Sequence, residues 1–132
     1  MEGTEVRTST GGSSYITKIE ARHHALIADE PEDLGGSDGG PTPMELALGA
    51  LGACTGITLE MYARRKGWPL TGVDAVVTST EVDRKRSIDV ALTLRGPLTD
   101  EQKTRLLQIA HACPVHKVMS GQAALSATLV TA

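Results

Sequence analysis

An α+β fold with a mainly antiparallel sheet is what this 132-residue chain predicts, and three features of its order carry that prediction. Alternating apolar and polar segments open the chain, a capped apolar helix occupies its middle, and a second alternating pair with two further helices follows. Residues Tyr15 to Glu20 alternate, with Tyr15, Ile16 and Ile19 among the apolar members, and His24 to Asp29 resumes after a short break. These read as paired strands. Gly11 and Gly12 turn an earlier strand, around Glu5 to Ser9, into the first of them, which makes an N-terminal meander.

The glycines and prolines between Asp33 and Pro43 favour neither regular element, so this stretch is a loop that delivers the chain to a helix. Thr42 is the N-cap and Pro43 fills the first helical position, where no amide hydrogen is needed. Glu45 reaches back to the cap as the third member of a capping box. The helix runs to about Lys66, where Arg64, Arg65 and Lys66 complement the negative end of the dipole, and it stops at Gly67 with Pro69 beyond. Its first half is apolar on every side, so something must surround it. Small residues such as Gly49, Gly52, Ala53 and Gly56 lower its intrinsic propensity and let other backbones approach closely.

Val73 to Val82 and Ile88 to Leu94 form a predicted hairpin joined by the charged run Asp83 to Arg86. Thr99 and Gln102 make a second capping box, opening a helix over Asp100 to Ala112. Pro114 starts a short helix through Ser120, closed by Gly121, and a final strand from Ala123 to Thr131 ends the chain.

The length fits a single domain, residues 1–132, that buries roughly two thirds of its unfolded surface. A net charge of −3 with interspersed signs, no Phe, one Trp and two Tyr offers neither an electrostatic footprint nor stacking platforms for nucleic acid. Met1 to Ser14 lacks the basic-then-apolar pattern of a signal peptide, which predicts a cytoplasmic protein. Glu45 and Glu60 bracket the apolar stretch around Leu46 to Leu59 and leave fewer than the ~18 residues a membrane span requires, so it reads as a core helix.

Chemistry is sought first at the two cysteines. Cys54 lies within the apolar helix, whereas Cys113 stands directly before Pro114 at a helix start. If the fold brings their Cα atoms within about 6 Å they can form a disulfide, and a cytosolic dithiol that cycles is more often catalytic or sensing than structural. Taken alone, Cys54 reads as an inert core thiol, because free cysteine is among the most buried residues. Cys113 at an N-cap can receive the amides of Val115 and His116, which stabilises its thiolate and could make it the more acidic of the two. His111, Cys113 and His116 offer nitrogen and sulfur ligands at short spacing, yet zinc needs about four and Cys54 would have to be the last, so no metal is expected. His23 and His24 read as ordinary strand residues; Trp68 reads as a lid over the helix end, with the lining of a substrate pocket as the sharper reading, and Met44, Met61 and Met119 as core filling, with the wall of an apolar peroxide pocket as theirs. The Arg64 to Lys66 run reads as a solvated helix terminus and not an anion site.

Four stretches resemble the OsmC/Ohr family of thiol-dependent hydroperoxide reductases: Gly-Pro-Thr-Pro-Met-Glu-Leu from Gly40, Leu-Gly-Ala-Cys-Thr around Cys54, Met-Tyr-Ala-Arg-Arg-Lys-Gly-Trp-Pro-Leu from Met61, and Ile-Ala-His-Ala-Cys-Pro-Val-His-Lys around Cys113. Asp29-Glu30-Pro31 looks like one branch of it, and the resemblance runs from about His24 to the end. It implies an OsmC-like fold, an antiparallel sheet with a long central helix, in which two chains intertwine as a homodimer with active sites at the subunit interface. It also implies that Cys54 attacks the peroxide O–O bond and becomes a sulfenic acid, and that Cys113 condenses with it to a disulfide. Apolar burial opposes the Cys54 thiolate, so a cation is expected beside it, and Arg22, Arg7, Lys117 and His116 are the candidates. Members of the best-studied branch carry a glutamate directly after the proline matching Pro43, paired with an arginine; this chain has Met44 there and Glu45 one residue late. Nine residues separate Glu45 from Cys54, roughly 13.5 Å along the helix and on opposite faces. Glu45 therefore reads first as a capping residue, with a catalytic part through a dimer partner as the sharper reading. The implied function is that of a cofactor-free peroxidase acting on bulky organic hydroperoxides and regenerated by an external dithiol. The alternative is a non-enzymatic module that binds a small apolar or electrophilic ligand near the cysteine pair.

Overall fold

The computed structural model describes residues 3–130 and divides into two compact units, Met1–Ala47 and Leu48–Ala132. The first unit is the predicted meander: strands β1 (Arg7–Thr10), β2 (Thr17–Ala21) and β3 (His24–Ala28) pair antiparallel in the order β1-β2-β3. Thr8 faces Ile19 and Ile19 faces Leu26 across the ladder. The second strand starts at Thr17 and not Tyr15, because the Thr17 hydroxyl bonds both the Thr10 hydroxyl at 2.7 Å and the Tyr15 carbonyl at 3.1 Å. Ala21 pairs with His24, so Arg22 and His23 alone make the turn, and Arg22 accepts a φ of 55° to do so.

A buried carboxylate organises the loop that follows. Asp29 accepts N–H bonds from Glu30 (2.8 Å), Ser37 (3.2 Å) and Gly39 (3.0 Å), while its own N–H donates to the Pro41 carbonyl at 3.1 Å. A single-turn 3-10 segment, Glu32–Leu34, sits inside that loop and ends at Gly35 with φ 94°. Two further glycines are required by proximity: a Cβ on Gly36 would collide with the Glu30 carbonyl, and one on Gly40 would lie 2.5 Å from the Ile27 carbonyl oxygen.

Helix α1 (Pro43–Lys66) has the predicted bounds. It opens in a reciprocal box in which Thr42 N–H donates to Glu45 Oε1 at 2.8 Å and Glu45 N–H to Thr42 Oγ1 at 3.1 Å. From Leu48 onward it belongs to the second unit, with the hairpin β4 (Gly72–Val82) and β5 (Lys85–Arg95) and helix α2 (Asp100–Ala110). Among the described residues its fully buried positions are Leu51, Thr55, Leu59 and Ala63, a four-residue repeat that marks one face. Burial on all sides, the sequence expectation, is not met within one chain: Ile57 and Met61 stand 56% and 62% exposed. By length and composition alone α1 could cross a bilayer, but its buried stripe is the packing of a core helix.

Gly52 on α1 lies under the hairpin, where a Cβ would approach Val77 to 3.2 Å. The hairpin pairs along its full length to Val82 and Lys85, and Asp83 and Arg84, with φ of 52° and 66°, form a two-residue turn. The charged connection is therefore shorter than the predicted Asp83 to Arg86, since a turn with both central residues at positive φ matches the twist of its strands. Leu59, Leu106 and Ala110 form the buried centre, with Tyr62, Trp68, Val73, Leu92 and Leu94 packed around it. Leu59 and Leu106 are 0% exposed, each contributing roughly 2 kcal/mol from burial.

Thr99 and Gln102 form the predicted second capping box. The helix stops at Ala110, two residues early, because His111 and Ala112 turn their amides back to Gln108 and Ile109. Helix α3 (Pro114–Lys117) continues into a wider π-type turn, Val118–Gln122, that breaks at Gly121 with φ 100°. The expected last strand does not form among the described residues, and Thr131 lies outside them. Leu125, Leu129 and Val130 are 94%, 101% and 88% exposed, so this segment has no ladder or apolar surface in its own chain to hold it.

Candidate functional site

Fifty-nine residues apart in sequence, Cys54 and Cys113 are brought into direct interaction within the second unit. Cys54 follows from the helical repeat: it precedes Thr55 of the buried stripe and is itself half-buried. Cys113 is fully buried and caps α3, with φ −61° and ψ 133°, while Pro114 takes the first helical position. That geometry aims the sulfur at the exposed amides of the next turn, and His116 N–H donates to Sγ at 3.4 Å. The Cys113 carbonyl in turn accepts from Lys117 N–H at 3.1 Å. Both cysteines are free thiols.

The two sulfurs are displaced in opposite directions. Burial pushes the Cys54 thiol up, and its hydrogen bond to Cys113 adds to that push, while the Val115 amide and the Thr58 side chain pull the other way. Burial is also the largest influence on Cys113 and again raises it. There, hydrogen bonds from Cys54, the His116 amide, Thr55 and the Val115 amide together outweigh burial, and the thiol ends below its ordinary value. When one proton leaves the pair, it leaves Cys113 before Cys54. Thr55 and Thr58 are the residues sequence reasoning missed. The place of Thr58 four residues after Cys54 puts it beside that thiol on the helix, which was the available signal, whereas Thr55 acts on Cys113 and nothing local marked it.

The remaining sequence candidates are placed as follows. Glu45 has its carboxylate engaged in the capping box with Thr42. Arg22 stands at the exposed β2–β3 turn, and Arg7 pairs with Glu5 at 3.2 Å in solvent. His116 is half-buried, its ring edge-on to His111 with centroids 5.4 Å apart, and Lys117 is exposed. No group of three or more His, Cys, Asp or Glu among the described residues could hold a metal ion.

A cavity of about 420 Å³ has Thr55 and His116, both hydrogen-bonding neighbours of Cys113, in its wall, although neither cysteine lines it. Leu51, Val90, Leu107 and Met119 give it an apolar part and Arg86, Asp89 and His111 a polar one, so Met119 lines a cavity and does not simply fill the core. Trp68 packs edge-on to Tyr62 at the end of α1, the place expected of it. A half-buried thiol and a buried partner whose thiolate is stabilised can support oxidation of one sulfur and its capture by the other.

Comparison with known proteins adds the following. The sequence model described as OsmC-like protein matches residues 35–127. Among solved structures, an OsmC-like protein from Mycoplasma pneumoniae superposes with a TM-score of 0.77 at 15% identity, covering 91% of this chain and 89% of that one. The organic hydroperoxide resistance protein OsmC of Legionella pneumophila gives 0.65 at 21%, over 92% and 91%. The organic hydroperoxide resistance protein OhrB of Bacillus subtilis gives 0.60 at 22%, over 91% and 92%. At these identities the likeness is one of fold. A search of curated protein sequences finds no match to this chain.

Proposed function

This chain belongs to the OsmC-like protein family, and from that premise we propose that it reduces organic hydroperoxides with Cys54 as the attacking thiol and Cys113 as the resolving one. The observation that carries the reading is the direct contact of two cysteines so distant in sequence, in a setting of hydrogen-bond donors, two of whose residues, Thr55 and His116, also line a cavity. Relatives of the same fold bear the name organic hydroperoxide resistance protein, which agrees with it.

Cys54 passes its proton to the adjacent Cys113 sulfur as it attacks the distal peroxide oxygen. The O–O bond breaks, Cys54 becomes a sulfenic acid, and the alkoxide leaves and is protonated to the alcohol. Cys113 then attacks the Cys54 sulfur, its proton leaves with the displaced hydroxide as water, and a disulfide forms. One hydroperoxide is reduced and two thiols are oxidised; an external dithiol restores both. No cofactor enters the cycle. The acidity order alone would favour Cys113 as the attacking thiol, but it is 0% exposed whereas Cys54 is reachable from solvent. Access decides in favour of Cys54.

The working unit in this reading is a homodimer, in which a second copy covers the exposed apolar residues Ile57 and Met61 of α1. Brief exposure to cumene hydroperoxide, followed by sulfenic-acid trapping and mass spectrometry, tests the assignment. Wild type should yield a Cys54–Cys113 bridge, Cys113→Ser a trapped sulfenic acid on Cys54, and Cys54→Ser neither adduct nor turnover with a dithiol. A trapped adduct on Cys113 in Cys54→Ser would reverse the roles. Absence of both oxidation and turnover in wild type would leave the ligand-binding alternative.

A further inference from the structure

The C-terminal end of α1 and the middle of α2 border a shallow, open concave site distinct from the thiols. Its cavity, of about 450 Å³, is lined by Tyr62, Arg65, Lys66 and Arg105. Three cations gather on one phenol ring: Arg65 Cζ lies 5.9 Å from the Tyr62 centroid, Lys66 Nζ 5.7 Å and Arg105 Cζ 5.7 Å. No carboxylate is in this lining, and among the described residues none of the three forms an ion pair. Like charges drawn together without a counter-charge repel one another, so the arrangement favours an anion among them.

The donors are also fixed in direction. Arg105 Nε–H donates to the Tyr62 hydroxyl at 3.1 Å and Nη1–H to Gln108 Oε1 at 3.0 Å, which holds the guanidinium plane and leaves its Nη2 edge free. Because the Tyr62 oxygen already accepts from Arg105, its own O–H is left to donate elsewhere. Two of the terminal carbonyls of α1 are occupied, since Gly67 N–H donates to Arg64 and Trp68 N–H to Ala63. A solvated helix terminus accounts for Arg65 and Lys66 but not for Arg105, which joins them from a different helix.

We infer that Tyr62, Arg65, Lys66 and Arg105 form a binding site for a phosphoryl oxyanion, carried by a small phosphorylated molecule or a lipid headgroup. Two guanidinium groups, one ammonium and one hydroxyl offer donors to several oxygens at once, which suits a tetrahedral dianion better than chloride or a single carboxylate. The hydrogen bond from Arg105, followed by the charges of Lys66 and Arg65, holds the Tyr62 hydroxyl below its ordinary acidity value against the opposing effect of burial, in keeping with a positive local potential.

Trp68, whose ring centroid is 5.5 Å from that of Tyr62, serves as the reporter. Inorganic phosphate added to the full chain at constant ionic strength should change Trp68 fluorescence saturably and move Tyr62 ionisation, followed at 295 nm, to higher pH, because a bound dianion disfavours phenolate. Arg105→Gln should weaken binding at least tenfold and Tyr62→Phe by less, with the hydroperoxide turnover of Arg105→Gln unchanged. Lys66→Gln, at an exposed position, provides a second weakening variant should Arg105→Gln alter the circular dichroism spectrum. Sedimentation with phosphatidate vesicles, against phosphatidylcholine vesicles, separates the sources: binding to free phosphate assigns a small molecule, and binding to phosphatidate vesicles alone assigns a headgroup. The inference is overturned if neither probe binds beyond what chloride does at equal ionic strength, or if both charge-removing variants bind as well as wild type.

Discussion

Thr55 is the residue through which helix geometry reaches the chemistry. It sits in the buried stripe of α1, and its single O–H is shared between two acceptors, the Leu51 carbonyl at 2.9 Å and the Cys113 sulfur, whose thiol it helps to hold below its ordinary value. Replacement by valine keeps the shape and removes the hydroxyl. A charge-assisted bond is worth about 1.5 kcal/mol when unshared, so Thr55→Val should lower peroxide turnover at pH 7 by up to about tenfold. Wild-type turnover should rise with pH through a midpoint below the usual thiol range, because Cys113 must be deprotonated to accept the Cys54 proton, and in Thr55→Val that midpoint should move upward. An unshifted profile in the variant would remove Thr55 from the mechanism.

Asp29 carries a comparable load in the first unit. Hydrogen bonds from the Gly39 and Glu30 amides, and more weakly from Ser37, hold its carboxyl below the usual carboxylate range against the effect of burial. A depressed value in the folded state contributes stability that is present above the unfolded value and is lost as pH falls through the folded one. Protection of the Ser37 and Gly39 amides from hydrogen exchange, measured against the intrinsic rate at each pH, should therefore fall at acid pH, and in Asp29→Ala it should be low at neutral pH as well.

At the scale of elements, two capping boxes set helix starts: that of Thr42 and Glu45 opens α1 and that of Thr99 and Gln102 opens α2, while the buried stripe of α1 follows from its four-residue spacing. Thr99→Ala should cost about 1 kcal/mol in urea unfolding. Leu106→Ala, at a fully buried position against Leu59 and Ala110, should cost about 2 to 5 kcal/mol in the same assay. If Leu106→Ala proved the milder of the two, the buried centre would not be where the structure puts it. Both boxes were legible in the sequence because a cap is a local pattern of four residues. The hairpin turn was less so: Asp83-Arg84-Lys85-Arg86 carries no glycine to mark the two positions of positive φ, and pairing between the strands selected them.

For the whole molecule, the exposed surface is the informative quantity. Ile57 and Met61 on α1 and Leu125, Leu129 and Val130 near the C-terminus place apolar side chains in water in the single chain. In the homodimer proposed above, a second copy covers Ile57 and Met61. Light scattering should return twice the 13.9 kDa mass of the chain, and Ile57→Glu with Met61→Glu should shift it toward the monomer. A wild-type monomer at micromolar concentration would remove the dimer from the functional reading.

The sequence by itself determined the meander, the bounds of α1, both capped helix starts, the placement of Cys113 at an N-cap and, through its cysteine blocks, the family. Each of these depends on neighbours within a few residues or on a pattern of identities, and such information is written along the chain. Only the tertiary structure decided that the two sulfurs meet, that Thr55 acts on Cys113, that Arg105 joins Arg65 and Lys66 around Tyr62, and that the C-terminal segment finds no strand in its own chain. The first three couple residues 39 or more apart, and their energies come from burial and donor geometry, neither of which exists until the chain has folded.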